Sequence, residues 1–302
     1  MTFQCFAFRF TFRALDPVRF QAGAAANAFR GAFGQIFLRL AGQAAYARLF
    51  QPVNEEGPSG LKDAPRPFVI RAAALDGKTC RAGETFAIDV HLFDVRTPAL
   101  EHFVHAFQEL AREGIGAGRG RILLAQVRTL DAGRSPCAVI YEDRQPLLQP
   151  SGDPLSVLLD GPQSTGPGFV TIRFTTPTEL KGDGGILRDA PFAVVFARAR
   201  DRIATLSALY GDGPLAIDFG GMGERAGRVE TASANLRWES HSRKSARTGQ
   251  VHPLGGFVGE VRYRGALAEF LPYLEAAYWT GVGRQTVWGK GAVEIVPSSM
   301  TL

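Results

Sequence analysis

Gly281-Val282-Gly283-Arg284-Gln285-Thr286-Val287-Trp288-Gly289-Lys290-Gly291 lies between the last helical stripe of the chain and its last strand pattern. The loop carries four glycines, two cations, one aromatic ring and no carboxylate. Glycine reaches positive φ at no steric cost and lets a bulky group approach the backbone. Backbone N–H groups beside Arg284 and Lys290 suit a phosphate-bearing partner. The plainer reading is a tight helix-to-strand turn beside a sheet edge. A second loop of the same kind, Gly114-Ile115-Gly116-Ala117-Gly118-Arg119-Gly120-Arg121, also stands between a helix and a strand.

Working outward from these loops gives two similar halves. In the first, Phe6, Phe8, Phe10 and Phe12 alternate with Arg9, Thr11 and Arg13, which predicts a half-buried strand with a polar outer face. A helix is expected over 22–49, weakened by Gly31, Gly34 and Gly42. Strands follow at 68–71 and 83–95, with Phe86, Ile88, Val90 and Leu92 on one face. Phe103, Phe107, Leu110 and Ala111 form the apolar stripe of a helix over 98–113, and the glycine loop leads into a strand at 122–127. In the second half, Val170, Ile172 and Phe174 alternate with Thr171, Arg173 and Thr175. A helix is expected over 190–209 with Asp189 as its N-cap, then strands at 228–238 and 257–263. Leu267, Phe270, Leu271, Leu274 and Tyr278 mark a second helix, and a strand at 292–296 ends the unit. Each half therefore reads β-α-β-β-α-β, the split βαβ order. The expected class is α+β, with two tandem ferredoxin-like (RRM-like) domains at 1–145 and 168–302. A Pro- and Gly-rich linker at 146–167 joins them. Docked side by side, such domains form a cleft with the cationic glycine loops near it, and RNA recognition commonly uses sheets of this kind.

Composition narrows the function. An apolar content of 45% excludes a mostly disordered chain. The net charge of +5 permits an anionic partner without requiring one. Arginine dominates the cations, and its planar fork suits phosphate and base stacking. Cys5, Cys80 and Cys137 lie far apart, which is neither a disulfide framework nor a zinc site. The first residues alternate like a strand, not a signal peptide, and no 18-residue apolar run exists. A cytoplasmic protein with no membrane contact is expected. No phosphate-binding GxxxxGK[ST] or nucleophile GxSxG motif is present, and Gly116-Ala117-Gly118 follows no strand, so a dinucleotide fold is not supported. His102 and His105 have a spacing that can share a metal but lack a carboxylate partner motif, so they read as a helix surface. His91 reads as structural. No metal and no cofactor are expected.

Six segments carry a resemblance: Phe29-Arg30-Gly31-Ala32-Phe33-Gly34, Tyr46-Ala47-Arg48-Leu49-Phe50-Gln51-Pro52, Gly83-Glu84-Thr85-Phe86, the first glycine loop, Leu254-Gly255-Gly256-Phe257-Val258-Gly259-Glu260, and the second glycine loop. In this order they resemble the CRISPR repeat-processing endoribonucleases of the RAMP superfamily. The resemblance implies binding of a CRISPR repeat RNA and one metal-independent cut. In that reaction a 2′-hydroxyl attacks the neighbouring phosphate and leaves a 2′,3′-cyclic phosphate and a 5′-hydroxyl. Many relatives place a histidine in or just after the first helix; here none precedes His91. Some carry cysteines before the tyrosine segment; Gly42-Gln43-Ala44-Ala45 has none.

Under that resemblance the segment 241–252 becomes the first place to look for chemistry. It holds His241 and His252, the cations Arg243, Lys244 and Arg247, and no acid. A histidine trades protons near neutral pH, so His241 is the candidate proton-transfer group, with Lys244 on the scissile phosphate. Arg30 is a candidate for stabilising the transition state, and Tyr46 for delivering a proton. Arg243, Arg247, Arg284, Gln285 and Lys290, with Gly281, Gly283, Gly289 and Gly291, are the candidate RNA contacts. The plainer alternatives are a solvated basic hairpin that grips RNA without catalysis, and a Tyr46 that only packs. Two rival functions stand beside the enzyme. One is a non-catalytic subunit that holds crRNA among other CRISPR effector subunits. The other is a ferredoxin-like protein-interaction module.

Overall fold

The strand β1, Thr2–Ala14, shows how the sequence pattern becomes a fold. Phe8, Phe10 and Phe12 are fully buried on one face, as the alternation requires. In a computed structural model of the chain, which describes residues 1–52, 64–146, 153–160, 168–182, 184–240, 242–244, 251–253 and 255–297, this strand is central to the first sheet.

The other elements of the first domain are α1 (Ala25–Phe50), β2 (Phe68–Arg71), β3 (Thr85–Leu92), α2 (Leu100–Gln108), β4 (Ile122–Leu130) and β5 (Pro136–Glu142). The sheet order is β2-β3-β1-β4-β5, and the pairs are antiparallel. Its first four strands follow the 2-3-1-4 order of the ferredoxin-like fold. The helices cover one face, and phenylalanine fills the space between: Phe33 of α1 stacks on Phe103 of α2 with centroids 3.8 Å apart, and Phe10 and Phe12 meet Phe107 edge-on. Of the three glycines expected to weaken α1, Gly42 breaks its geometry, at φ 79° and ψ 175°.

Within the expected linker, the described residues 153–160 include a strand. Leu155–Leu158 form β6, which pairs antiparallel with Thr2–Cys5 at the start of β1. Part of the expected linker thus belongs to a sheet.

The second domain repeats the topology with β7 (Phe169–Thr178), α3 (Phe192–Tyr210), β8 (Glu230–Glu239), β9 (Gly256–Arg264), α4 (Leu271–Thr280) and β10 (Val293–Val296). Its order, β8-β9-β7-β10, is again 2-3-1-4, and the pairs are antiparallel. The chain is therefore α+β with two tandem ferredoxin-like domains. Asp189 does not cap α3. Pro191 holds the N-cap at φ −59°, a value its ring fixes without any side-chain hydrogen bond. None of the described helices is long and apolar enough to cross a membrane.

Docking explains where the half-buried reading of β1 stops. Phe3, Cys5 and Ala7 point away from the first core, yet all three are buried. With Val69, Phe93 and Leu130 they join the core of the second domain, where α3 and α4 approach β1. Farther along, Arg9, Thr11 and Arg13 clear this contact and keep the outer face polar.

Candidate nucleic-acid interface

The second glycine loop is delivered by α4, and other elements hold the end of that helix. The last carbonyls of a helix have no partner within it. Here Arg71 of β2 donates to the Tyr278 carbonyl at 3.3 Å, His91 Nδ1 to the Trp279 carbonyl at 2.8 Å, and Arg202 of α3 to the Thr280 carbonyl at 2.9 Å. All three donors are desolvated, and burial lowers the pKa of each: Arg71 to about 10, His91 to about 4 and Arg202 to about 9. Gly281 caps the helix with its N–H on the Ala277 carbonyl.

The expectation that this loop offers free N–H groups to a phosphate needs correction. Val282 donates to Gly291, Arg284 and Gly291 donate to Glu179 and Pro177, and Trp288 and Gly289 close the loop on itself. Backbone so engaged shapes the loop and withdraws these donors from a ligand. Gly289 and Gly291 show why glycine is needed. A Cβ at Gly291 would fall 2.0 Å from the Val282 carbonyl oxygen, and one at Gly289 would fall 2.3 Å from Cβ of Ala26. Gly281 and Gly283 have positive φ as well, and Gln285 adopts the left-handed conformation at φ 64°.

The cations of the loop part company. Arg284 is exposed and pairs with the buried carboxylate of Glu179 at 2.6 Å. Lys290 is 3% exposed, and its ammonium donates to the Gly23 carbonyl, 3.0 Å away, just before α1. Burial lowers its pKa. Lys290 is thus turned inward, because the loop is wedged against the start of α1.

Both glycine loops converge on that start. The first loop and α1 enclose a cleft of about 480 Å³, lined by Arg19, Asn27, Gly31, Gln35 and Arg119 among others. Between the domains a larger cleft of about 740 Å³ runs past Arg9, Asp89, Thr175, Gly289 and Glu294. Of its arginines, Arg9 forks onto Asp89 at 2.7 and 2.8 Å, while Arg71 donates to the Tyr278 carbonyl; Arg173 of β7 bridges Glu260 and the cleft residue Glu294.

Arg30 and Tyr46, far apart in sequence, come together on one ring. Tyr46 stacks on Phe50 with centroids 4.7 Å apart, and the Arg30 guanidinium lies 5.2 Å from the same ring. It also lies 5.7 Å from the Trp288 ring, which the glycine loop brings in from the other domain. Phe50 and Trp288 were not among the expected site residues; the signal for Trp288 was its position as the sole aromatic of a cationic glycine loop. Residues 242–244 and 251–253 form a two-stranded hairpin between β8 and β9, so the backbones of Arg243 and Lys244 are placed there. His241 and Arg247 lie outside the described residues. His102, one of the two weighed for metal binding, packs at a tilt against the Phe37 ring, centroids 4.9 Å apart.

Comparison with known proteins follows this division into halves. A family model described as an N-terminal domain matches residues 3–152, and the model of the CRISPR-associated endoribonuclease Cas6 matches residues 172–293. No curated protein sequence matches the chain. Among solved structures, a Cas6 product complex is 19% identical with a TM-score of 0.60, covering 97% of this chain and 100% of that one. Cas6 of Thermus thermophilus is 17% identical with a TM-score of 0.55, covering 97% and 99%. A partial Cas6-RT-Cas1–Cas2 complex is 12% identical with a TM-score of 0.59, covering 98% of this chain and 46% of that one. At these identities the likeness is one of fold.

Proposed function

From a C-terminal domain that matches the CRISPR-associated endoribonuclease Cas6 family, we propose that the chain cuts precursor CRISPR RNA within its repeat. The observation that carries this reading is that family match, seated on a duplicated sheet whose two cationic glycine loops meet at the start of α1.

The proposed reaction is metal-independent. The 2′-hydroxyl beside the cut attacks the phosphorus while the bond to the 5′-oxygen breaks, leaving a 2′,3′-cyclic phosphate and a 5′-hydroxyl. Such a step needs a base for the 2′-hydroxyl, an acid for the leaving oxygen, and cations for the crowded phosphorane. His241 is assigned proton transfer and Lys244 the scissile phosphate. Arg30, held between Phe50 and Trp288, is assigned the developing charge. Tyr46, stacked beside it, is the second candidate for proton transfer. Arg243, Arg247, Arg284 and Gln285 are assigned RNA contacts, and Lys290 with the loop glycines shapes the surface that carries them. The likeness to the Cas6-RT-Cas1–Cas2 complex supports protein partners of the CRISPR class.

One observation favours a second reading, a non-catalytic crRNA-binding subunit: no histidine precedes His91. The deciding experiment incubates the repeat RNA of the same genome with the protein in EDTA and identifies the end groups of both fragments. One cut with a cyclic phosphate supports the enzyme. RNA that is bound but stays intact supports the subunit. In the enzyme, His241→Ala is expected to lower the cutting rate about 10²- to 10⁴-fold while RNA binding persists. Undiminished cutting removes His241 from the mechanism.

A further inference from the structure

Behind the glycine loop lies a third pocket, of about 390 Å³, whose charges are not balanced. It is lined by Glu179, Lys181, Arg198, Asp201, Arg202 and Arg284, among others. Both carboxylates are already engaged. Glu179 holds Arg284 at 2.6 Å, and Asp201 holds Arg200 at 2.8 Å. Arg198 donates to the Lys181 carbonyl at 2.8 Å and Arg202 to the Thr280 carbonyl at 2.9 Å, and these oxygens carry no full charge. Among the described residues, Lys181, Arg198 and Arg202 have no carboxylate partner. Arg9 of the interdomain cleft differs in this, since Asp89 holds it at 2.7 Å. Three unpaired cations around one concave space repel each other, and an anion relieves that repulsion. Burial has already pulled the Arg202 pKa down to about 9, with the charge of Arg71 adding to the effect.

We propose that this pocket binds a backbone phosphate of the RNA, away from the scissile bond, through Lys181, Arg198 and Arg202. The inference rests on the endoribonuclease reading and adds a second anchoring point to it. Residues 289 and 290 of the loop meet the start of α1, whereas Gly283 and Arg284 meet this pocket. One loop therefore stands between the Arg30 cluster and a phosphate site on α3. Among the described residues, no aromatic ring lines the pocket to stack on a base. The site therefore holds the strand without reading its sequence.

The test is RNA affinity as a function of salt, read by fluorescence anisotropy on the full chain with the repeat RNA and a scrambled RNA of equal length. Lys181 and Arg198 are exposed, so Lys181→Gln and Arg198→Gln remove charge without disturbing the core. Arg112→Gln together with Arg144→Gln, at exposed positions away from the pocket, removes the same two charges and controls for net charge. The double variant is expected to raise Kd about tenfold on both RNAs and to lower the slope of log affinity against log salt by about 0.7 per lost contact, with the control unchanged. A wild-type slope in the double variant, or a loss matched by the control, overturns the pocket. A loss confined to the repeat RNA overturns the phosphate assignment, since the pocket would then read bases. Failure of the wild type to bind either RNA overturns the endoribonuclease reading and this site together, and is told apart because every variant then behaves alike.

Discussion

Lys290 donates to a single carbonyl inside the joint between the domains, and that carbonyl stands 267 positions earlier in the chain. Lys290→Met keeps most of the apolar stem but takes the donor from the part-buried Gly23 oxygen. A cost of about 1–3 kcal/mol in unfolding free energy is expected, measured by chemical denaturation. RNA affinity, compared where both proteins are folded, should change less than twofold. A large fall in affinity at unchanged stability would return Lys290 to the RNA surface. The inward turn of this residue was not legible locally, because a lysine among glycines looks the same whether solvent or a distant helix lies opposite. Arg284, two residues before the 3-10 turn at Thr286–Trp288, keeps the solvent position that its sequence context suggests.

At the scale of elements, α4 sets where the glycine loop sits, and its last three carbonyls are held by β2, β3 and α3. Arg71→Met removes the donor to Tyr278, and the loop just beyond should loosen. Amide exchange at Val282 and Gly291, whose N–H groups donate within this region, is expected to quicken relative to Ile172 in the centre of β7. Equal protection in variant and wild type would show that Arg71 does not fix the helix. The elements themselves were largely readable. Phe8, Phe10 and Phe12 alternate because one face of β1 meets helices, and the stripes of α2 and α4 have helical spacing for the same reason. What resisted reading depends on partners remote in sequence. The short strand β6 forms because the start of β1 has an open edge there, not because residues 155–158 have a strong pattern. The cluster of Arg30, Tyr46, Phe50 and Trp288 was half legible: α1 supplies the first three, and docking supplies the fourth.

For the molecule as a whole, the joint between domains is built to stay neutral at His91, and this makes its stability depend on pH. His91 is fully buried, with Nδ1–H on the Trp279 carbonyl and its ring edge-on to the Trp279 ring. Protonation would add an N–H at Nε2, which meets no acceptor among the described residues. Burial is the main reason its pKa falls from 6.5 to about 4; the charge of Arg71 lowers it further, while the Trp279 carbonyl and Asp89 act in the opposite direction. The folded pKa thus lies below the unfolded one. Above pH 6.5 both states are neutral and the full stability is present. As pH falls from 6.5 towards 4, the unfolded chain takes up a proton that the folded joint refuses, and stability is lost. A gap of roughly 2.5 units corresponds to about 3 kcal/mol. His91→Gln can still donate to the Trp279 carbonyl but does not titrate. Urea denaturation at a series of pH values should therefore give a wild-type curve that falls about 3 kcal/mol further than the variant's between pH 6.5 and 4, with the two running parallel above that window. Parallel curves throughout would mean that His91 is not held neutral, and that water reaches the seam between the domains.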